Sequence, residues 1–241
     1  MKRILLITAF LFSYVFVQAQ PEKLTLFFKL SDYFLKRHVY KGLVNYKYSR
    51  DNSREIDLLQ KTIAEIDLSS ASDSERKAFM INAYNLLVIY QVTQNYPLAK
   101  PLDKEGFFDV TTFAIAGEQL TLNQLESKMI AEFKDPRFHF VLACAAMSCP
   151  KLYNLAYKPD NLEQLMEERT SLALNDKDFT RVNASTNQIS LSKIFEWYKK
   201  DFEMEGTTIE FVNKYLDSKI STNYRVSYYE YDWTLNERKG K

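Results

Sequence analysis

The chain has 241 residues, with Lys+Arg 32 against Asp+Glu 31 mixed along its length, so no basic face argues for nucleic acid or an anionic membrane surface. Its five glycines (Gly42, Gly106, Gly117, Gly206, Gly240) are too scattered to write a G-x-G-x-x-G or a P-loop, which argues against a glycine-lined nucleotide site. Two cysteines and two histidines are few for the three or four ligands of a zinc site, and no cofactor is expected.

Residues 1–19 read as a secretory signal. Lys2 and Arg3 precede an apolar run from Ile4 to Val17, and Val17-Gln18-Ala19 supplies a cleavage site. That run is about 14 residues, where a spanning helix needs about 20. The expectation is a periplasmic or secreted protein with no stable membrane insertion, and one domain over residues 20–241. Residues 24–39 carry helical spacing, with His38 as a cation at the end of the helix. Gly42 stops that helix, residues 43–48 suggest a short strand, and Ser53 caps a helix to about Ile66.

Ser72 and Glu75 form a capping box that opens a long helix over residues 73–95. Its stretch AFMINAYNLLVIY is apolar around most of its circumference, which predicts the central buried helix. Residues 108–115 and 118–121 flank Ala116-Gly117 as a hairpin. Thr121 and Gln124 then make a second capping box for a helix over residues 122–133. Residues 138–144 fit a strand or a short buried helix. A helix to about Leu174, a hairpin over 179–191, a helix over 193–202 capped by Ser192, another over 208–216 and a tyrosine-rich strand over 224–233 complete the chain. The fold class is α+β, a helix-dominated single domain with a small antiparallel sheet built from hairpins.

The chemistry gathers in residues 135–152, DPRFHFVLACAAMSCPKL, which hold His139, Cys144 and Cys149. In an exported chain an even cysteine count favours a structural disulfide. Two other readings stand beside it: a buried apolar Cys144, or a nucleophilic cysteine activated by His139. His139 and Cys144 lie on opposite faces of a strand, or about 140° apart on a helix, so Cys149 is the better nucleophile and Ser148 a weaker one. The spacing is not C-x-x-C, which counts against thiol–disulfide exchange. Asn82 and Asn85 share one face of the long helix, and either tie down loop backbone or line a polar pocket. Tyr84 is a further polar group there. Glu126 either orients His139 or faces solvent, and Arg137 sits in an Asp135-Pro136 turn.

These segments, with KAFMINAYN, LTLNQLE, ISLSKIFEWYKKDF and YDWTLN, resemble the family known as domain of unknown function 547 over residues 42 to 236. Asn82, Tyr84 and Asn85 match its N-x-Y-N, Glu126 its glutamate, and Asp135, Pro136, Arg137, His139, Phe140, Cys144, Ser148, Cys149 and Pro150 its D-P-R-x-H-F…C…S-C-P pattern. The chain departs from it at Met80 (usually tryptophan), Ser127 (often histidine) and Ala145 (commonly glycine). The family's spread into reducing compartments implies that the cysteines serve more than an extracellular disulfide. The expectation is a polar pocket of Asn82, Asn85, Glu126, His139, Cys144 and Cys149, also lined by Tyr84, Arg137 and Ser148, for an unknown small molecule or peptide. Cys149 would attack, His139 act as base and Glu126 orient it, in a cysteine-dependent hydrolase or acyl transferase. The competing expectation is a non-catalytic binding or scaffold domain with a structural Cys144–Cys149 disulfide.

Overall fold

The structure is a computed structural model that describes residues 22–239; the signal segment read over residues 1–19 lies outside the described residues. Helix α1 (residues 22–38) buries Leu24, Phe27, Phe28, Phe34 and Leu35, the helical spacing of one apolar stripe. It runs into a tight hairpin of β1 (Val39–Tyr40) and β2 (Leu43–Val44). Lys41 and Gly42 at its turn have φ of 52° and 84°, the left-handed pair such a turn requires. A Cβ on Gly42 would also lie 2.8 Å from that of Lys151. The strand expected to Tyr48 ends early, because the Asn45 side chain accepts the Tyr48 N–H and starts α2 (Tyr46–Asp51). Helix α3 (Arg54–Glu65) follows; Ser53 bonds Asp57 through its hydroxyl instead of capping backbone.

Helix α4 (Asp73–Asn95) begins in the expected capping box, with Ser72 N–H donating to Glu75 at 2.8 Å. Every residue from Lys77 to Ile89 is buried, because α2, α3 and α5 (Leu122–Phe133) pack around it. Strands β3 (Thr112–Ile115) and β4 (Glu118–Thr121) pair antiparallel across Ala116-Gly117, and Thr121 and Gln124 form the box that opens α5. The ambiguous run after Arg137 is one helical turn, α6 (Phe138–Val141). Helix α7 (Leu162–Asn175) leads to the hairpin of β5 (Thr180–Asn183) and β6 (Gln188–Leu191). The helix expected over 193–202 breaks at Tyr198 into α8 (Ile194–Trp197) and α9 (Lys199–Phe202). Helix α10 (Thr208–Tyr215) completes a crossover that returns β7 (Arg225–Tyr228) parallel to β6. The molecule is a helix-dominated α+β domain with small sheets, as the sequence predicts, and one of them carries this parallel pair. Among the described residues no helix is long and apolar enough to cross a membrane.

The buried side chains form two cores. The larger surrounds α4, and the smaller joins β6 to α8–α10. Helix α6 is the seam, since Phe138 and Val141 belong to the first core and Phe140 to the second. Beyond β7 the chain becomes a strap across both. Thr234 O accepts from Met147 N–H, and Asn236 N–H donates to Ala145 O, at 2.8 and 2.9 Å. Buried Asn236 also accepts the Tyr46 hydroxyl at 2.7 Å.

Two buried asparagines on α4 hold irregular backbone. Asn85 donates to Val141 O at 2.9 Å and accepts from Ala143 N–H at 2.8 Å. Asn82 makes the same two-way bond with Tyr157. Asn85→Ala strands both backbone groups, each worth about 1–3 kcal/mol when buried and unpaired. The expected loss of about 2–4 kcal/mol is measured by urea unfolding, and a loss under about 1 kcal/mol would refute the tie.

Candidate functional site

A cavity of about 180 Å³ opens where the two cores meet. Helix α4 brings Tyr84 to it, α5 brings Glu126 and Asn123, and the seam helix α6 brings His139. The break between α8 and α9 presents Trp197 and Tyr198, and the C-terminal strap adds Tyr231 and Trp233. Phe108, Leu142 and Ile194 complete an apolar wall, and both cysteines border the space.

His139 is the polar centre. Its Nε2 is hydrogen-bonded to Asp201 Oδ2 at 2.8 Å, and its Nδ1 lies 3.7 Å from Glu126 Oε1. Its ring packs 4.0 Å from that of Tyr198. Burial pushes the Glu126 carboxyl above its ordinary value, against the opposing pull of His139 and of hydrogen bonds from Tyr198 and Tyr84. Burial likewise raises the phenols of Tyr84, Tyr198 and Tyr231, so all three are neutral donors at physiological pH. The Tyr231 hydroxyl stands 3.1 and 3.2 Å from the sulfurs of Cys144 and Cys149.

Those sulfurs are bonded to each other. Cys144–Cys149 is a disulfide and, among the described residues, no cysteine is free, so the cysteine–histidine hydrolase or acyl-transferase site expected from the sequence is corrected. Neither sulfur is available as the thiolate nucleophile that such chemistry requires. The pocket's expected lining changes too. Asn82 and Asn85 stand behind it, occupied with backbone, and the structural expectation for them is the one observed. Arg137 faces away: its guanidinium clamps Asp135 through bonds of 2.9, 3.2 and 2.7 Å, beside Lys77 and Glu163. Burial alone would raise the Asp135 carboxyl, but the bonds from Arg137 and Lys77 overcome it and hold the carboxyl below its usual range. Ser148 lines a separate, wider groove with Lys151 and Arg169, and its hydroxyl accepts the Asp232 N–H. His38, read as a cation at the end of the first helix, does end it, but it is fully buried against Phe34 and burial lowers its pKa, which counts against the charged form.

Asp201, Tyr198, Trp197, Tyr231 and Trp233 were not singled out by sequence reasoning, although two motifs, ISLSKIFEWYKKDF and YDWTLN, contain all of them. Asp201 is 62 residues from His139, and Tyr231 is 87 from Cys144, so no local spacing joins them. Among the described residues no group of three His, Cys, Asp or Glu side chains is arranged to hold a metal ion.

Residues 68–172 match the family described as "Protein of unknown function, DUF547". The match agrees with the resemblance carried by the motifs and runs from before α4 into α7, taking in N-x-Y-N, Glu126 and the D-P-R-x-H-F…C…S-C-P segment. ISLSKIFEWYKKDF and YDWTLN, which supply Asp201 and the strap's aromatic rings, lie beyond the matched residues. No curated protein and no solved structure matches the chain.

Two predictions follow from this geometry. The purified protein titrates no thiol until it is reduced, and the double variant Cys144→Ser/Cys149→Ser loses about 2 kcal/mol in urea unfolding, the chain-entropy value for so short a loop. Fast-reacting thiol in the unreduced protein contradicts the disulfide. The second concerns Glu126. Its raised pKa means that the folded protein holds the proton more tightly than the unfolded chain, so stability is full below the ordinary glutamate pKa and falls as pH rises through the folded value. Glu126→Gln therefore melts at higher temperature than the parent at pH 8, and the two converge near pH 4. A variant that melts lower at pH 8 would show that the carboxylate is net stabilising.

Proposed function

We propose that the chain is an exported, non-catalytic binding domain. Its aromatic-walled cavity takes a small molecule or one protruding side chain of a peptide, and the Cys144–Cys149 disulfide is a structural part of the wall. The observation that carries this reading is the placement of the disulfide. It borders the cavity under the Tyr231 hydroxyl, where a free thiol would be needed for covalent chemistry.

Size narrows the ligand. Pockets that enclose a whole drug-sized molecule run to about 300–1,000 Å³, whereas a dry cavity of about 150 Å³ already admits benzene. A cavity of about 180 Å³ thus suits one ring-sized group, with the remainder of the ligand outside. Apolar walls with a few convergent polar groups supply affinity and orientation respectively.

The chain's two tryptophans, Trp197 and Trp233, both line this space, so intrinsic fluorescence reads occupancy directly. Titration with a panel of ring-sized fragments and short peptides is expected to give a saturable emission change. Tyr198→Ala, which removes part of the wall, should weaken it by about tenfold, a contact worth about 1.4 kcal/mol. A panel without any saturable change overturns the binding reading. Export has its own test: the protein recovered from the periplasm or medium is expected to begin at Gln20, and an intact residue 1–19 segment on cytoplasmic protein sinks it.

A further inference from the structure

We propose that the cavity recognises an organic cation, a quaternary or protonated alkylammonium head group. This rests on the binding reading above and names the ligand class of the same site.

The charge inventory comes first. Glu126 borders the cavity, His139 lies between it and Asp201, and among the described residues no lysine or arginine lines the space. One imidazole thus faces two carboxylates, and its short hydrogen bond goes to Asp201. Glu126 is left with phenol donors and the longer 3.7 Å approach to the ring. Only 12% of its side chain is exposed, so solvent gives the carboxylate little help. A cation entering the cavity supplies the missing charge to a buried group that is costly to leave unpaired. An anionic ligand would meet the same carboxylate, with no lysine or arginine among the described lining residues to offset it.

The walls fit the same guest. Trp197, Tyr231 and Trp233 form a continuous cluster with ring centroids 4.8 to 5.9 Å apart, and Tyr231 is tilted by 53° and 54° to the two indoles. Packed against one another, the three rings line the cavity together as one aromatic wall, against which a compact group can lie. Tryptophan and tyrosine faces are the partners that attract alkylammonium groups, as in methyl-lysine and choline cages. A trimethylammonium head is similar in bulk to benzene, which the volume accommodates. A neutral apolar ring would satisfy the walls but leave the Glu126 charge unanswered.

The test pairs a cation with its neutral isostere. Choline and 3,3-dimethyl-1-butanol are titrated at constant ionic strength while tryptophan emission is followed, with benzyl alcohol as a neutral aromatic probe. The expected result is at least about tenfold tighter binding of choline. Glu126→Gln should erase that preference while leaving the isostere's affinity within about twofold, which also shows that the variant is folded. Trp197→Leu should weaken choline by a similar factor. Equal or tighter binding of the isostere overturns the cation and leaves the binding domain standing. So does a response to benzyl alcohol alone. Silence towards all three probes counts against the binding reading itself and takes the cation with it.

Discussion

The amide of Asn85 connects the central helix to everything that forms the cavity. The backbone after α6 leaves regular structure inside the protein, where Val141 C=O and Ala143 N–H have no helix or strand neighbour to bond. A buried peptide group left unpaired costs about 1–3 kcal/mol, so such a path is stable only if a side chain answers both groups. Asn85 does so with one planar amide, donating on one edge and accepting on the other. His139 lies two residues before that clamp and Cys144 one residue after it. The orientation of imidazole and disulfide towards the cavity is therefore set from α4, the most buried element of the fold. Asn82, one turn earlier, applies the same device to Tyr157.

The cavity's position follows from the cores. A single turn of helix cannot present a broad apolar stripe, and α6 instead sends Phe138 and Val141 one way and Phe140 the other. His139 emerges between them, where neither core fills the space. Around Phe140 the second core is dense with rings, Phe195, Phe202 and Phe211 among them. The seam is lined by residues that carry polar tips on aromatic bodies, Tyr84, Tyr198 and Tyr231. Amphipathic rings of that kind suit a boundary that is apolar on one side and polar on the other.

How much of this was legible depended on whether the deciding interaction was local. The ends of α4 and α5 were readable because Ser72 with Glu75, and Thr121 with Gln124, are capping pairs three residues apart. The Ala116-Gly117 turn was readable for the same reason. Asn45 is also a local cap, but the β-branched and aromatic residues around it suggested a strand and hid the signal. The break at Tyr198 carries no local signal in the sequence, and the ring there packs against His139 on another element. The site was half legible. Glu126 and His139 were found by residue type, whereas Asp201 and the strap's rings arrive from far along the chain. The position of Ala145 has a φ of 62°, a left-handed conformation that glycine adopts freely and alanine resists, so the glycine of the resembled pattern suits this turn better than the alanine here.

The cysteine pair was decided by geometry that spacing alone leaves open, and the same geometry bears on what the wall keeps when the sulfur bond is reduced. The loop from Cys144 to Cys149 is held by more than its sulfur bond. Ala145 O accepts from Asn236, Met147 N–H donates to Thr234, and Ser148 N–H donates to Asp232, all on the strap. Three such bonds, at about 1 kcal/mol each, together rival the roughly 2 kcal/mol that a disulfide closing so short a loop contributes. Loss of the sulfur bond would therefore soften the wall without dismantling it, because the strap is itself anchored through Asn236 to Tyr46 and Gly42. The element common to both redox situations is the strap across the loop, with Tyr231 carried to the cavity. On this reasoning the disulfide reinforces a cavity wall whose shape the backbone pairing already determines.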